Sequence, residues 1–325
     1  MEKRGMTGGK RGQVRAWGDT CIAGALLWYL GLTAVPMESG VEAGAAVRYE
    51  LRAATVQAFG SYVAETEAEN TKSLKAGSFL WVDRLEQEEK RASYERLQRG
   101  GVEMRRVNPV KDGKSDKVPG GLIHDWEGMV FIPGVKIDAV LKVLQDYDEH
   151  AIYYAPDVEK AKIESHVGDH YRVYMRFRRR KVVTVVLNTE HEVDYYRDSA
   201  TRAHSRSSAV HIAEVENPGG AREKEKAPGD DNGFLWRMET WWRMEERDGG
   251  VYLQNEVVSL TRDIPVGLGW LIEPFITSIP KESLEFTLRC TRKAVLSSEN
   301  YSLYLPLSRG SRMAIRIVPS EVNSG

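Results

Sequence analysis

Apolar and polar residues alternate most strictly between residues 234 and 262. In FLWRMETWWRMEE, Phe234, Trp236, Met238, Thr240, Trp242 and Met244 alternate with Leu235, Arg237, Glu239, Trp241, Arg243 and Glu245, the two-residue period of an extended strand. Asp248-Gly249-Gly250 offers residues able to take positive φ, and VYLQNEVVSLTR then returns, so this stretch predicts a β-hairpin. One face is apolar and partly aromatic. The other is lined with opposite charges that can pair across strands. Upstream, YRVYMRFRRR sets Tyr171, Val173, Met175 and Phe177 against Arg172, Tyr174, Arg176 and Arg178, the pattern of a half-buried antiparallel strand. AKIESHVGD, KVVTVVLNTEHEVDYYRD and TRAHSRSSAVHIAEVE predict three more strands, and residues 216–233 form a long charged loop.

Elsewhere the period lengthens. Tyr49, Ala53, Val56, Phe59 and Val63 recur at spacings of three and four, which predicts a helix from Val47 to about Thr71. SFLWVD at 78–83 reads as a short strand. RLEQEEKRASYERLQRG reads as a charged surface helix ended by Gly100-Gly101. NPVKDGKSDKVPGG, over 108–121, is polar and carries two Pro and three Gly, and marks the best internal boundary. GLIHDWEGMVFIPG follows as a strand. KIDAVLKVLQDYDEHAIYY is helical, with Ile137, Val140, Leu141 and Leu144 on one face. From Val266 to Ser298 the pattern is helical in two pieces broken near Pro280, with Leu284, Leu288, Thr291 and Val295 forming one stripe.

Composition narrows the class. The chain has 325 residues, 46 Lys and Arg against 47 Asp and Glu, and only two Cys. It is neither disordered nor a disulfide scaffold, and no global positive field exists to hold nucleic acid. The start is basic (Lys3, Arg4, Lys10, Arg11, Arg15), and Cys21 to Val35 carries no charge. That layout predicts a signal peptide over 1–45, cleaved near Ala45, and an exported protein; an N-terminal membrane anchor is the alternative. The remaining chain divides into a helical accessory segment at 46–118, a main domain at 119–298 and a disordered tail at 299–325.

Strand, helical segment, about six antiparallel strands and a long terminal helix make an α+β order that resembles the START-like superfamily, also called SRPBCC or helix-grip proteins. The residues carrying the likeness are GMVFIPGVKIDAVLKVLQDYDEHAIYYAPDV and GGVYLQNEVVSLTRDIPVGLGWLIEPFITSIPKESLEFTLRCTRKAV. The resemblance implies a curved antiparallel sheet wrapped around the C-terminal helix, with a hydrophobic cavity between them for a lipid or polyketide-like molecule. Some members of that superfamily are cyclases or dehydratases, which leaves an enzyme open as an alternative. An envelope interaction module with a filled core is another. On this reading the pocket is lined by Met175, Phe177, Trp236, Met238, Trp242, Leu253, Val257, Phe275, Leu284 and Leu288; the same stripe would serve equally as packed core.

Candidate chemistry adds little. His124 and Asp125 are the polar residues placed to share a cavity mouth and move a proton. His166 and His170 flank Gly168-Asp169, which reads as a turn, and no third ligand, HExxH or CxxC accompanies them, so no metal is expected. No motif for a cofactor appears. Arg176 to Lys181 is a basic run suited to a solvated turn or to a peripheral contact with an anionic membrane. Glu239 and Glu256 share the charged face of the hairpin with Arg237 and Arg243, where cross-strand neutralisation is the simplest account.

Overall fold

The computed structural model describes residues 51–75, 77–107, 117–180, 184–263 and 269–304, and, of 269–277 and 299–304, the backbone alone. Helix α1 (Ala53–Lys75) is followed by a 3-10 turn (Trp81–Arg84), helix α2 (Gln87–Gln98) and strand β1 (Val102–Arg106). Then come β2 (Lys117–Val118), β3 (Gly121–Pro133), α3 (Ile137–Gln145), a second 3-10 turn (Tyr147–Glu149) and α4 (His150–Tyr153). Strands β4 (Val158–Val167), β5 (His170–Arg180), β6 (Thr184–Arg197), β7 (Arg202–Glu216), β8 (Lys224–Glu225), β9 (Arg237–Arg247) and β10 (Gly250–Arg262) lead to α5 (Gly269–Tyr304).

The strands form one antiparallel, curved sheet in the order β1-β3-β10-β9-β7-β6-β5-β4, with β2 on β3 and β8 on β7. α5 lies on its concave side, packed along β3, β1 and β10 and against α3 and α4. Because residues alternate faces along a strand, β3 sends Val130 and Ile132 to α5 and Met129 and Phe131 to the opposite side. The concave core joins these two to Tyr171, Val173, Val193, Tyr195, Met244, Leu253, Leu284, Leu288 and Val295. The predicted stripe on α5 is the one buried there, Thr291 included.

The convex side is also covered. Phe59 and Val63 of α1 pack on Ile123, Trp241, Val258 and Leu260. Phe79, Leu80, Trp81, Val82 and Leu97 pack on Met129, Phe131 and Tyr252. This corrects several expectations. SFLWVD is not a strand: Trp81–Arg84 is a 3-10 turn, and its apolar side chains serve as a plug on the sheet. The connector at 108–121 does not separate two domains, because β1 before it pairs with β3 after it, from Val102↔Val130 to Arg106↔Trp126. On the charged face of the hairpin, Arg243 and Glu256 are buried and bond Asn70 of α1 rather than each other. α5 is one helix through Pro280, and it runs to Tyr304, past the expected start of the tail. A proline removes one helical hydrogen bond, and the stripe that follows it offsets the loss by burial. The predicted signal segment 1–45 and the rest of the tail lie outside the described residues.

Candidate functional site

The concave face is filled at one end and looser at the other. Across β3, β10, β9 and β7, Val130, Leu253, Met244 and Ala203 stand side by side and are buried against α5. Two residues further along each strand, on the same face, come Gly128, Asn255, Trp242 and Ser205. The next row is Trp126, Val257, Thr240 and Ser207, all half-buried. Met175, Phe177, Leu187 and Met238 are half-buried on the same face. Arg179 of β5 reaches Glu282 of α5 at 3.9 Å, so sheet and helix are tied across this looser end.

Polar groups are set into this wall. His191 is 4% exposed and burial pushes its pKa down to about 4. It is therefore neutral. Its Nε2 lies 2.8 Å from Thr189 Oγ1, which donates to the Met175 carbonyl, and Ser207 Oγ lies 3.5 Å from Nδ1. The ring thus donates from Nε2 and accepts at Nδ1. Tyr147 and Tyr195 join hydroxyls at 2.8 Å, and Tyr195 donates to the Leu144 carbonyl. Asn255 Oδ1 and Ser205 Oγ are buried without a hydrogen-bond partner. Sequence patterning did not single out His191, Asn255 or Ser205; their even-numbered spacing from apolar neighbours was the available signal, and the absence of hydrophobicity hid it.

The residues expected to line a pocket fall in different places. Met175, Phe177, Met238, Trp242 and Val257 sit together on the looser concave surface. Leu253, Leu284 and Leu288 belong to the packed core. Phe275 lies among the residues whose side chains are not described. Trp236 is on the other side of the sheet, packed with Phe59, Val63 and Trp241. It precedes β9, its amide bonds to the Leu260 carbonyl, and Asp231 Oδ1 takes its indole N–H at 2.9 Å, so strand alternation does not govern it.

His124 and Asp125 do not act together. His124 faces inward, 3.0 Å from Thr261 Oγ1. Asp125 faces α1, where Tyr62 donates to it at 2.7 Å. Adjacent strand residues cannot share a cavity mouth. Glu239 and Glu256 also lie on the convex side: Glu256 accepts from Asn70 at 2.8 Å and Glu239 from Ser208 at 2.7 Å. Within the basic run Arg176 is buried between Glu159 and Glu223, Arg178 pairs with Glu159 and Arg179 with Asp157, while Arg180 is exposed and Lys181 lies outside the described residues. His166 stacks on Tyr171 and His170 holds Asp194. Among the described residues no cluster of three or more His, Cys, Asp or Glu is arranged to hold a metal ion.

A long C-terminal helix held in the concavity of an antiparallel sheet decides the architecture. The fold is of the helix-grip type. No protein-family model and no curated protein matches the sequence. Solved structures similar to it include a STAR-related lipid transfer protein from Xanthomonas axonopodis, 16% identical over 59% of this chain and 98% of that one, with a TM-score of 0.39. Human STARD10 is 9% identical over 67% and 83% of the two chains, TM-score 0.39. The Zhui aromatase/cyclase from Streptomyces is 15% identical over 56% and 96%, TM-score 0.35.

Proposed function

We propose that this START-like protein binds a hydrophobic small molecule, a lipid or polyketide-like compound, between the concave face and α5. One observation carries this reading: Trp126, Met175, Phe177, Met238, Trp242 and Val257 are half-buried on the concave face, with Trp126, Trp242 and Val257 packed against the edge of the buried core. Large aromatic and flexible thioether side chains on such a surface suit an apolar ligand. The buried polar groups of this wall, His191, Asn255 and Ser205, carry no charge, while Arg179 with Glu282, and Lys281 over Trp126, place charges at the looser end.

Titrating the purified protein with an apolar fluorophore tests this. The expected result is saturable enhancement, competed by lipid extracted from the native host and weakened at least tenfold by Trp242→Ala. Absence of any saturable signal, with no lipid in the extracted protein, would sink the reading. We further propose that the chain is exported, on the strength of the basic start and the uncharged run from Cys21 to Val35. Recovery of a cytosolic protein still beginning at Met1 would overturn export.

A further inference from the structure

We propose that α1 is a proton-held cover: it stays on the convex face of the sheet while the carboxyl groups that its side chains grip keep a proton, and lifts away as they ionise. This is independent of what the concave face binds. Asp125 and Glu127 of β3 and Glu256 of β10 are all buried on the convex side. Glu127 is met on both oxygens, by Arg105 on one and by Gln254 at 3.1 Å on the other. Among the described residues Asp125 and Glu256 form no ion pair. Each is gripped instead by a side chain of α1, Tyr62 donating to Asp125 at 2.7 Å and Asn70 to Glu256 at 2.8 Å. Asp125 Oδ1 is buried with no hydrogen-bond partner. Of the buried residues of α1 only Phe59 and Val63 are apolar, so much of its hold on the sheet is polar. Gly77, at φ 78°, follows α1 and gives the chain a pivot that leaves Phe79 to Val82 seated.

A carboxylate with neither a cation nor a full set of donors is not kept charged in a dry site; it takes up a proton instead. The cations around the two acids are engaged elsewhere. Arg243 of β9 bonds Asn70 and the Phe79 carbonyl. Arg206 of β7 stands between Glu67 of α1 and Glu239 of β9, and Arg84 of the 3-10 turn holds Glu69 of α1 at 3.5 Å. Burial and the neighbouring acid lift Glu256 to about 7 and Asp125 well above the ordinary carboxylate range, and burial raises Glu239 as well. Lifting α1 returns Asp125 and Glu256 to water, where carboxyl groups ionise at about 4. The closed form therefore holds protons that the open form releases. Its advantage is complete below the open-state value and is lost as pH rises to the closed-state value.

Hydrogen–deuterium exchange of the full chain between pH 5 and 8, corrected for the chemical acceleration common to all amides, tests this. The opening constant of α1 is expected to rise about tenfold per pH unit up to pH 7 for each proton held, with the amides of α1 exchanging ahead of those of β10 and α5. Glu256→Gln, which keeps an acceptor for Asn70 and carries no titratable group, is expected to flatten the rise. A pH-independent opening of α1 overturns the proposal, as does a rise that Glu256→Gln leaves intact. So does opening of α1 only together with α5, which would make it an inseparable part of the fold. Asp125→Asn, which keeps the acceptor for Tyr62, serves if Glu256→Gln does not fold, and is expected to flatten the rise likewise.

Discussion

Glu127 and Glu256 are paired directly across β3 and β10, with Asp125 diagonal to Glu256, and the three are 2%, 4% and 3% exposed. Arg105 takes Glu127, while Arg243 bonds the Phe79 carbonyl at 2.7 Å and Asn70 rather than a carboxylate. Three acids thus face two guanidiniums, and the site holds a proton at moderate pH. Burial, helped by Glu127, lifts Glu256 to about 7, and burial, helped by Glu256, lifts Asp125 well above the ordinary range. A folded pKa above the unfolded one contributes stability that is complete below the unfolded value and is lost as pH rises through the folded value. The urea midpoint of Glu256→Gln is therefore expected to gain on wild type as pH goes from 5 to 8. The comparison between the two isolates the effect, because His150 and His191, pushed down to about 4 by burial, act oppositely: stability falls as pH drops through the ordinary histidine value. A constant difference between variant and wild type would refute it. Arg243→Ala leaves the buried Phe79 carbonyl and Asn70 amide oxygen without their donor and should cost about 1–3 kcal/mol in urea unfolding.

Among the elements, the final hairpin turns at Asp248 and Gly249, with φ of 55° and 76°, as the sequence called for. Gly250 has a different reason to be glycine. A Cβ there would stand 2.3 Å from the Ile132 carbonyl oxygen and 2.7 Å from the Phe131 ring, so the backbone of β3 must move. Gly250→Ala is expected to lower the thermal midpoint by several degrees, while Gly249→Asn, which tolerates positive φ, should cost far less. On α5, Leu288 presses on Gly128 and is fully closed. Leu288→Ala removes it from the packed end, at about 2–5 kcal/mol, and urea unfolding should show it. A loss under 1 kcal/mol would mean that the helix is not gripped there.

On the scale of the whole molecule, α1 is the cover of a second core rather than an appendage. Deleting residues 1–76 uncovers Ile123, Trp236, Trp241, Val258 and Leu260 and should raise binding of a hydrophobic dye and susceptibility to protease. A truncated chain as stable and as dye-silent as the full one would show that the cover is dispensable. The strands, the last hairpin and the stripe on α5 were legible because each is a local period that burial on one face imposes on consecutive residues. The face carrying Glu239, Arg243 and Glu256 read as charges neutralising one another across strands, because a local pattern does not show that something distant covers it. α1 and the 3-10 plug are that cover, separated from β10 by more than 150 residues of chain. Likewise Trp236 obeys the strand period in sequence and leaves it in space, because Asp231 and Leu260 hold it outside β9. Periodicity determined which elements form and which residues share a face; only the tertiary structure decided what each face meets, since a strand's pattern records that a partner exists and not which part of the chain supplies it.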